Sequence, residues 1–238
     1  MMNTSKYLIQ NVEKYGNSAA LSIKDSDGQW QTDTWNDFYH VVLDISKSLI
    51  AYGVGINEKI SIYSYNRREW YACYAATQFI NSVAVGIYHT CSSNEVEWVV
   101  SNSDSKIVFV GNNPNDNGET EKMPNHRLMH VIDKLDNVEL VVIMDGVEKL
   151  DHEKIITWSE FIAKGSTVDE SEINARNDSI QPDDTSSLIY TSGTTGNPKG
   201  VELTHKNWTF ELDSVLTIMK FNQGELYVSW LPLAHVFG

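Results

Sequence analysis

At 238 residues, 41% of them hydrophobic, the chain is long enough to bury a substantial core in one large domain or two small ones. Its 32 acidic residues against 18 basic ones leave a net charge of −14, which argues against nucleic acid as the main partner and disfavours a polybasic membrane patch. Two cysteines, Cys73 and Cys91, make no disulfide framework, and no apolar run approaches the ~18 residues of a membrane span.

The first residues carry neither the basic start nor the apolar stretch of a secretory leader, so the sequence reads as cytoplasmic, with peripheral membrane association left open. Residues 3–15 have the pattern of a short amphipathic helix, and Asp25-Ser-Asp-Gly28 reads as a hairpin turn between two short strands. Thr34 is placed to cap a helix in which Phe38, Val41, Val42, Ile45, Leu49 and Ile50 recur at helical spacing, with Gly53 closing it. An alternation follows. Strands are expected at Lys59–Tyr63, Val83–Tyr88, Lys106–Val110 and Glu139–Met144, and helices at Arg67–Phe79, Asn94–Ser101, His126–Leu135 and Trp158–Ala163. Residues 112–120 read as a polar loop, and Lys164–Asp184 as a charged surface connection. Ser187–Tyr190 reads as a buried strand, His205–Met219 as a helix and Leu226–Trp230 as a last strand. Val- and Ile-rich strands alternating with longer helices predict an α/β fold with a largely parallel, doubly wound sheet flanked by helices.

One stretch stands apart. Tyr190-Thr-Ser-Gly-Thr-Thr-Gly-Asn-Pro-Lys-Gly-Val201 holds three glycines, four aliphatic hydroxyls, one proline and one lysine. Such a segment turns amides and hydroxyls towards an anion, and Lys199 adds positive charge. The alternative is a polar surface loop. A Walker A loop is excluded because Gly200, not Ser or Thr, follows Lys199, and the G-x-G-x-x-G fingerprint is absent. No Gly-x-Ser-x-Gly elbow supports a serine hydrolase.

From Tyr190 to Gly200 the segment closely resembles the signature of the adenylate-forming ligases, which include acyl-CoA synthetases, adenylation domains of peptide synthetases and luciferases. Thr34-Trp-Asn-Asp-Phe38, Lys59 to Trp70 with its Asn-x-x-Glu-Trp ending, and Leu231-Pro-Leu-Ala-His235 resemble further motifs of that family. Gly86-Ile-Tyr-His-Thr-Cys-Ser-Ser93 is most similar to long-chain and bubblegum-type acyl-CoA synthetases. The resemblance implies that Thr191, Ser192, Gly193, Thr194, Thr195, Gly196 and Lys199 hold the β- and γ-phosphates of ATP. It also implies that Thr191 approaches Mg²⁺, that His235 lies near the acyl pocket and the α-phosphate, and that a fatty acid and CoA are the other substrates. Lys199 and His235 are the catalytic candidates. The alternatives are another acid (short-chain, aromatic or amino acid) or a non-catalytic nucleotide-binding module.

The family's Tyr-Gly-x-Thr-Glu and Thr-Gly-Asp motifs, and the lysine of its mobile C-terminal domain, do not occur in these residues. The expectation is therefore the incomplete first part of the large N-terminal domain, inactive in isolation. It divides into an N-terminal helix and hairpin over residues 1–30, an α/β region over 31–165, a connection over 166–184 and the phosphate-loop region over 185–238.

Weaker candidates have plainer readings. His126 and His130 stand one helical turn apart, but Arg127 occupies the position where a zinc protease needs Glu. His89 and Cys91 at a strand end read as packing or pocket wall, Asp183-Asp184 as a turn cap, and Trp70, Tyr71, Tyr74 and Phe79 as helix packing, with Tyr71 on the rim.

Overall fold

The structure, a computed structural model, describes residues 3–25, 27–113, 120–191 and 196–235. Helix α1 (Thr4–Tyr15) begins on Asn3, whose side chain accepts from the Lys6 amide. Strands β1 (Ala19–Lys24) and β2 (Trp30–Thr34) form the expected antiparallel hairpin. Thr34 then caps α2 (Trp35–Ala51) in a reciprocal capping box with Asp37. Val42, Ile45 and Leu49 of α2 are fully buried, each contributing about 1.5–3 kcal/mol relative to exposure.

The alternation that follows is β3 (Lys59–Ser64), α3 (Arg68–Phe79), β4 (Val83–Tyr88), α4 (Ser93–Ser103), β5 (Ser105–Gly111), α5 (Pro124–Met129), β6 (Leu140–Ile143), β7 (Ile155–Thr157), α6 (Trp158–Lys164), α7 (Glu170–Ser179), β8 (Thr185–Thr191), β9 (Lys199–Thr204) and α8 (His205–Ile218). The large sheet runs in the order β7-β6-β5-β3-β4-β8-β9. Every neighbouring pair in it is parallel except β8–β9.

The two faces of the sheet are apolar, as a parallel sheet covered on both sides requires. Ile60 and Ile62 of β3 enter a core with α2, α3 and α6, whereas Tyr63 enters a second core with Val96 and Val99 of α4 and Leu128 of α5. Adjacent strand residues point to opposite faces, so this division places helices on both sides. The largely parallel, doubly wound sheet expected from the sequence is the one observed. Arg67 ties the ends of its strands together: it pairs with Glu69 at 2.8 Å and donates to the carbonyls of Asn112 (3.4 Å) and Asp145 (2.6 Å).

Several segments differ from the sequence reading. The helix expected over 126–135 stops at Met129. Val131 leaves helical backbone (φ −126°, ψ −2°), and a 3₁₀ turn at Ile132–Lys134 carries Ile132, Leu135 and Val138 into the core. The supposed connection over 164–184 contains α7, capped by Asp169. Only Ile173 and Asn177 of that helix are buried, which leaves almost no apolar periodicity to read. Strand β7 is a three-residue edge strand, too short for a pattern. Leu226–Trp230 is not a strand. Leu226 is 94% exposed and Val228 76%, so β-propensity finds no partner among the described residues.

Candidate active site

Strands β4 and β8 lie side by side, Ala84–Gly86 pairing with Ser187–Ile189. The ends of such strands are where open α/β sheets receive ligands. Strand β8 ends at Thr191, and the chain returns antiparallel with Lys199 directly opposite Thr191. The glycine-rich segment is therefore the connection of a hairpin, not a strand-to-helix turn, and the start of α8 lies at the far end of β9. Lys199 is exposed, as expected, but it is the first residue of a strand rather than a loop residue. The signal for that strand is the alternation of Val201 and Leu203 about Glu202.

Ser192, Gly193, Thr194 and Thr195 lie outside the described residues. Gly196 adopts φ +104°, a conformation that side chains disfavour.

Helix α4 supports the hairpin from below. Trp98 Nε1 donates to the Pro198 carbonyl at 2.9 Å, and the Tyr190 hydroxyl donates to Asn102 Oδ1 at 2.7 Å. Helix α4 is itself fixed at its start, where Ser92 and Glu95 make a capping box. The turn between β4 and α4 is held from beneath. Tyr63 and Arg127 each donate to the Cys91 carbonyl at 2.9 Å, and Tyr65 stacks on His89 with centroids 3.9 Å apart. Burial pushes the Cys91 thiol up to about 11 and, with help from Arg127, holds His89 below its usual value. Both groups are therefore neutral near pH 7, consistent with packing roles.

A cleft of ≈ 550 Å³ opens beside these elements; Tyr88, Cys91, Glu95, Thr191, Val201 and His235 are among its lining residues. Thr191 and His235, 44 positions apart by their numbers, thus share one cavity. Lys199 is not a lining residue; it pairs with Thr191 in the ladder and follows Pro198, which lines the cleft.

His235 reaches the cleft on a return segment. Leu233 and Ala234 are buried, and Ala234 lies so close to Gly86 that a Cβ there would stand 3.0 Å from Ala234 Cα. A side chain at 86 would push the segment outward by a few tenths of an ångström. The imidazole of His235 meets the Tyr88 ring edge-on, with centroids 6.4 Å apart. Asn66 clasps the same segment: its Nδ2 donates to the Leu231 carbonyl at 2.6 Å, and its Oδ1 accepts from the Leu233 amide at 2.9 Å. Asn66 appears in the sequence reading only as the first residue of the Asn-x-x-Glu-Trp motif, with no role attached, and Trp98 is not singled out there. Their partners lie 165 and 100 residues away, and no local pattern marks such pairs.

Another histidine is buried, at the start of α8. His205, the first residue of α8, is fully buried, with Nδ1 2.9 Å from Thr4 Oγ1. The Thr4 hydroxyl donates to Gln78 Oε1, so its only proton is committed and His205 Nδ1 must be the donor to it. Nε2 is then a bare acceptor, and it is buried without a hydrogen-bond partner among the described residues. Burial pulls this histidine down to about 4, against the opposing pull of Asp184.

A family model described as AMP-binding enzyme matches residues 8–238. The chain belongs to the AMP-binding enzyme family. Long-chain-fatty-acid–CoA ligase ACSBG2 of Xenopus laevis is 29% identical over 231 residues, covering 95% of this chain and 30% of that protein. Long-chain-fatty-acid–CoA ligase ACSBG1 of Rattus norvegicus is 29% identical over 229 residues, covering 94% and 30%. The chain therefore spans under a third of the length of these curated relatives. Among solved structures, the anthranilate CoA ligase AuaEII in complex with anthranoyl-AMP matches with a TM-score of 0.67 at 19% identity, covering 89% of this chain and 36% of that one. That likeness identifies the fold as one found in adenylate-forming ligases. Among the described residues, no helix is long and apolar enough to cross a membrane.

Proposed function

We propose that this chain carries the phosphate-binding portion of an AMP-forming acyl-CoA ligase that activates a long-chain fatty acid with ATP to acyl-AMP and pyrophosphate, and then forms acyl-CoA. The observation that carries this reading is the 29% identity over 95% of the chain to a relative named as a long-chain-fatty-acid–CoA ligase. The geometry supports it, because Thr191 lines the cleft that His235 also lines, and Lys199 is its partner in the β8–β9 ladder, next to Pro198 of the cleft wall. Such a donor pair suits the phosphate end of a nucleotide.

In this reading Thr191, Ser192, Gly193, Thr194, Thr195, Gly196 and Lys199 hold the β- and γ-phosphates. When bound, ATP supplies the electrophilic α-phosphorus, and Mg²⁺ neutralises phosphate charge. The Thr191 hydroxyl is the protein oxygen offered to the cation, which commonly takes one or two such ligands. A carboxylate oxygen of the acid attacks the α-phosphorus as the bond to pyrophosphate breaks. Negative charge gathers on the departing oxygens, where Lys199 stabilises it, while His235 orients the reacting groups from the cleft wall. Positioning and electrostatic stabilisation account for most of such catalysis. The thiol of CoA then attacks the acyl carbonyl of acyl-AMP, forming the thioester as the bond to AMP breaks and AMP leaves. A peripheral membrane location would suit a fatty-acid substrate and belongs to the same proposal.

Calorimetric titration of MgATP and of Mg-pyrophosphate into the chain tests the phosphate site. Saturable binding of both supports it, and no binding of either sinks it. Acid-dependent pyrophosphate release by the intact protein, screened across acids, tests the substrate. A response to aromatic or amino acids but not to long-chain fatty acids would overturn that assignment.

A further inference from the structure

The return segment that carries His235 changes character along its length. Leu226, Tyr227, Val228 and Trp230 are exposed, whereas Leu233 and Ala234 are buried. The change coincides with Pro232, which has no amide proton and cannot extend a backbone ladder. Asn66 engages the polar groups on either side of that proline, the Leu231 carbonyl and the Leu233 amide. The orientation of the Asn66 amide is fixed by chemistry, since its NH₂ must face the carbonyl and its oxygen the N–H. One side chain, just beyond the end of β3, thus replaces the two hydrogen bonds that a neighbouring strand would provide.

We infer that Asn66 is a positioning residue for His235. Two further contacts help it. The Tyr71 hydroxyl donates to Ser229 Oγ at 2.7 Å upstream of the clasp, and Gly86 lets Ala234 settle on β4 downstream. Those two contacts leave the direction of the chain between them undetermined, because a single side-chain hydrogen bond and a single apolar contact do not fix a peptide plane. The Asn66 clasp does, and the Pro232 carbonyl then accepts from the His235 amide at 2.9 Å to close the turn. The imidazole is thereby aimed along the Tyr88 ring into the cleft. Its consequence for catalysis rests on the role proposed above for His235; its consequence for geometry does not.

Two measurements separate these. In NMR spectra of the chain, the wild type should show a cross-peak between the Tyr88 and His235 rings. Asn66→Ala should lose it while the ring signals of Tyr63 and Tyr190, buried in the opposite core, stay in place. Asn66→Asp keeps the acceptor for the Leu233 amide and loses the donor to Leu231, so it should weaken the cross-peak. If Asn66→Ala does not fold, Asn66→Asp is read instead. A cross-peak of wild-type strength in the variant overturns the inference. In acid-dependent pyrophosphate release by the intact protein, Asn66→Ala should lower kcat at least about tenfold and leave KM for ATP within about twofold, because a misplaced group costs rate rather than phosphate binding. A raised KM for ATP with unchanged kcat counts against it. An intact wild-type protein that releases no pyrophosphate would sink the adenylation reading alone, and the ring cross-peak would still decide the position of His235.

Discussion

Gly200 faces Tyr190 across the β8–β9 ladder so closely that a Cβ at position 200 would stand 3.1 Å from Tyr190 Cζ and 3.3 Å from its hydroxyl oxygen. The ring fills the space above the glycine, and its hydroxyl reaches Asn102 of α4. One glycine therefore lets the β8–β9 hairpin lie against helix α4. Gly200→Ala must push the ring aside by a few tenths of an ångström, which strains the Asn102 hydrogen bond. The expected loss is about 1–3 kcal/mol of stability, with weaker pyrophosphate binding because Lys199 is the adjacent residue. Tyr190→Phe removes only the hydrogen bond and should cost about 1 kcal/mol. Urea unfolding compares the three chains. Equal stability of Gly200→Ala and wild type would mean that the ring is not locked by this contact.

Lys199→Ala separates binding from folding. The side chain is exposed and its strand pairs through the backbone, so stability should change by no more than about 0.5 kcal/mol. Binding of Mg-pyrophosphate to the chain should weaken at least about tenfold, and adenylation by the intact protein should fall on the order of a hundredfold, the scale seen when one stabilising donor is removed. Calorimetry and pyrophosphate release measure the two effects. A variant that unfolds, or one that keeps full adenylation, contradicts the role assigned to the lysine.

What the sequence made legible follows from where its physics is local. The capping box at Thr34, the Val- and Ile-rich runs of β3 to β6 and the helical stripe of α2 each rest on neighbours within a turn or a strand, so the parallel α/β plan was readable. Strand β9 was not read as a strand because the glycine-rich run before it dominates the local composition, although Val201 and Leu203 alternate about Glu202. Helix α7 was not read because two buried residues in ten leave no stripe. Within the site, Thr191, Lys199 and His235 were identified by motif. The contacts that hold them are not legible there: Asn66 opens the Asn-x-x-Glu-Trp motif, but Trp98–Pro198 and Asn66–Leu231 are pairs that only the folded sheet brings together.

His205 makes stability depend on pH. Its folded value of about 4 lies below the usual 6.5, mainly because burial disfavours the charged ring. The unfolded chain takes up a proton as pH falls through about 6.5, while the folded chain resists until about 4. The stabilisation is thus fully present above pH 6.5 and is lost as pH falls towards 4. A separation of this size corresponds to about 3 kcal/mol in total, of which about 2 kcal/mol is lost between pH 7 and pH 5. His205→Gln has no titrating ring, so its stability should change far less over that interval than the wild type's. Urea midpoints at the two pH values make the comparison. Parallel losses in both chains would show that other groups govern the acid sensitivity and that the buried ring is already protonated or solvated when folded.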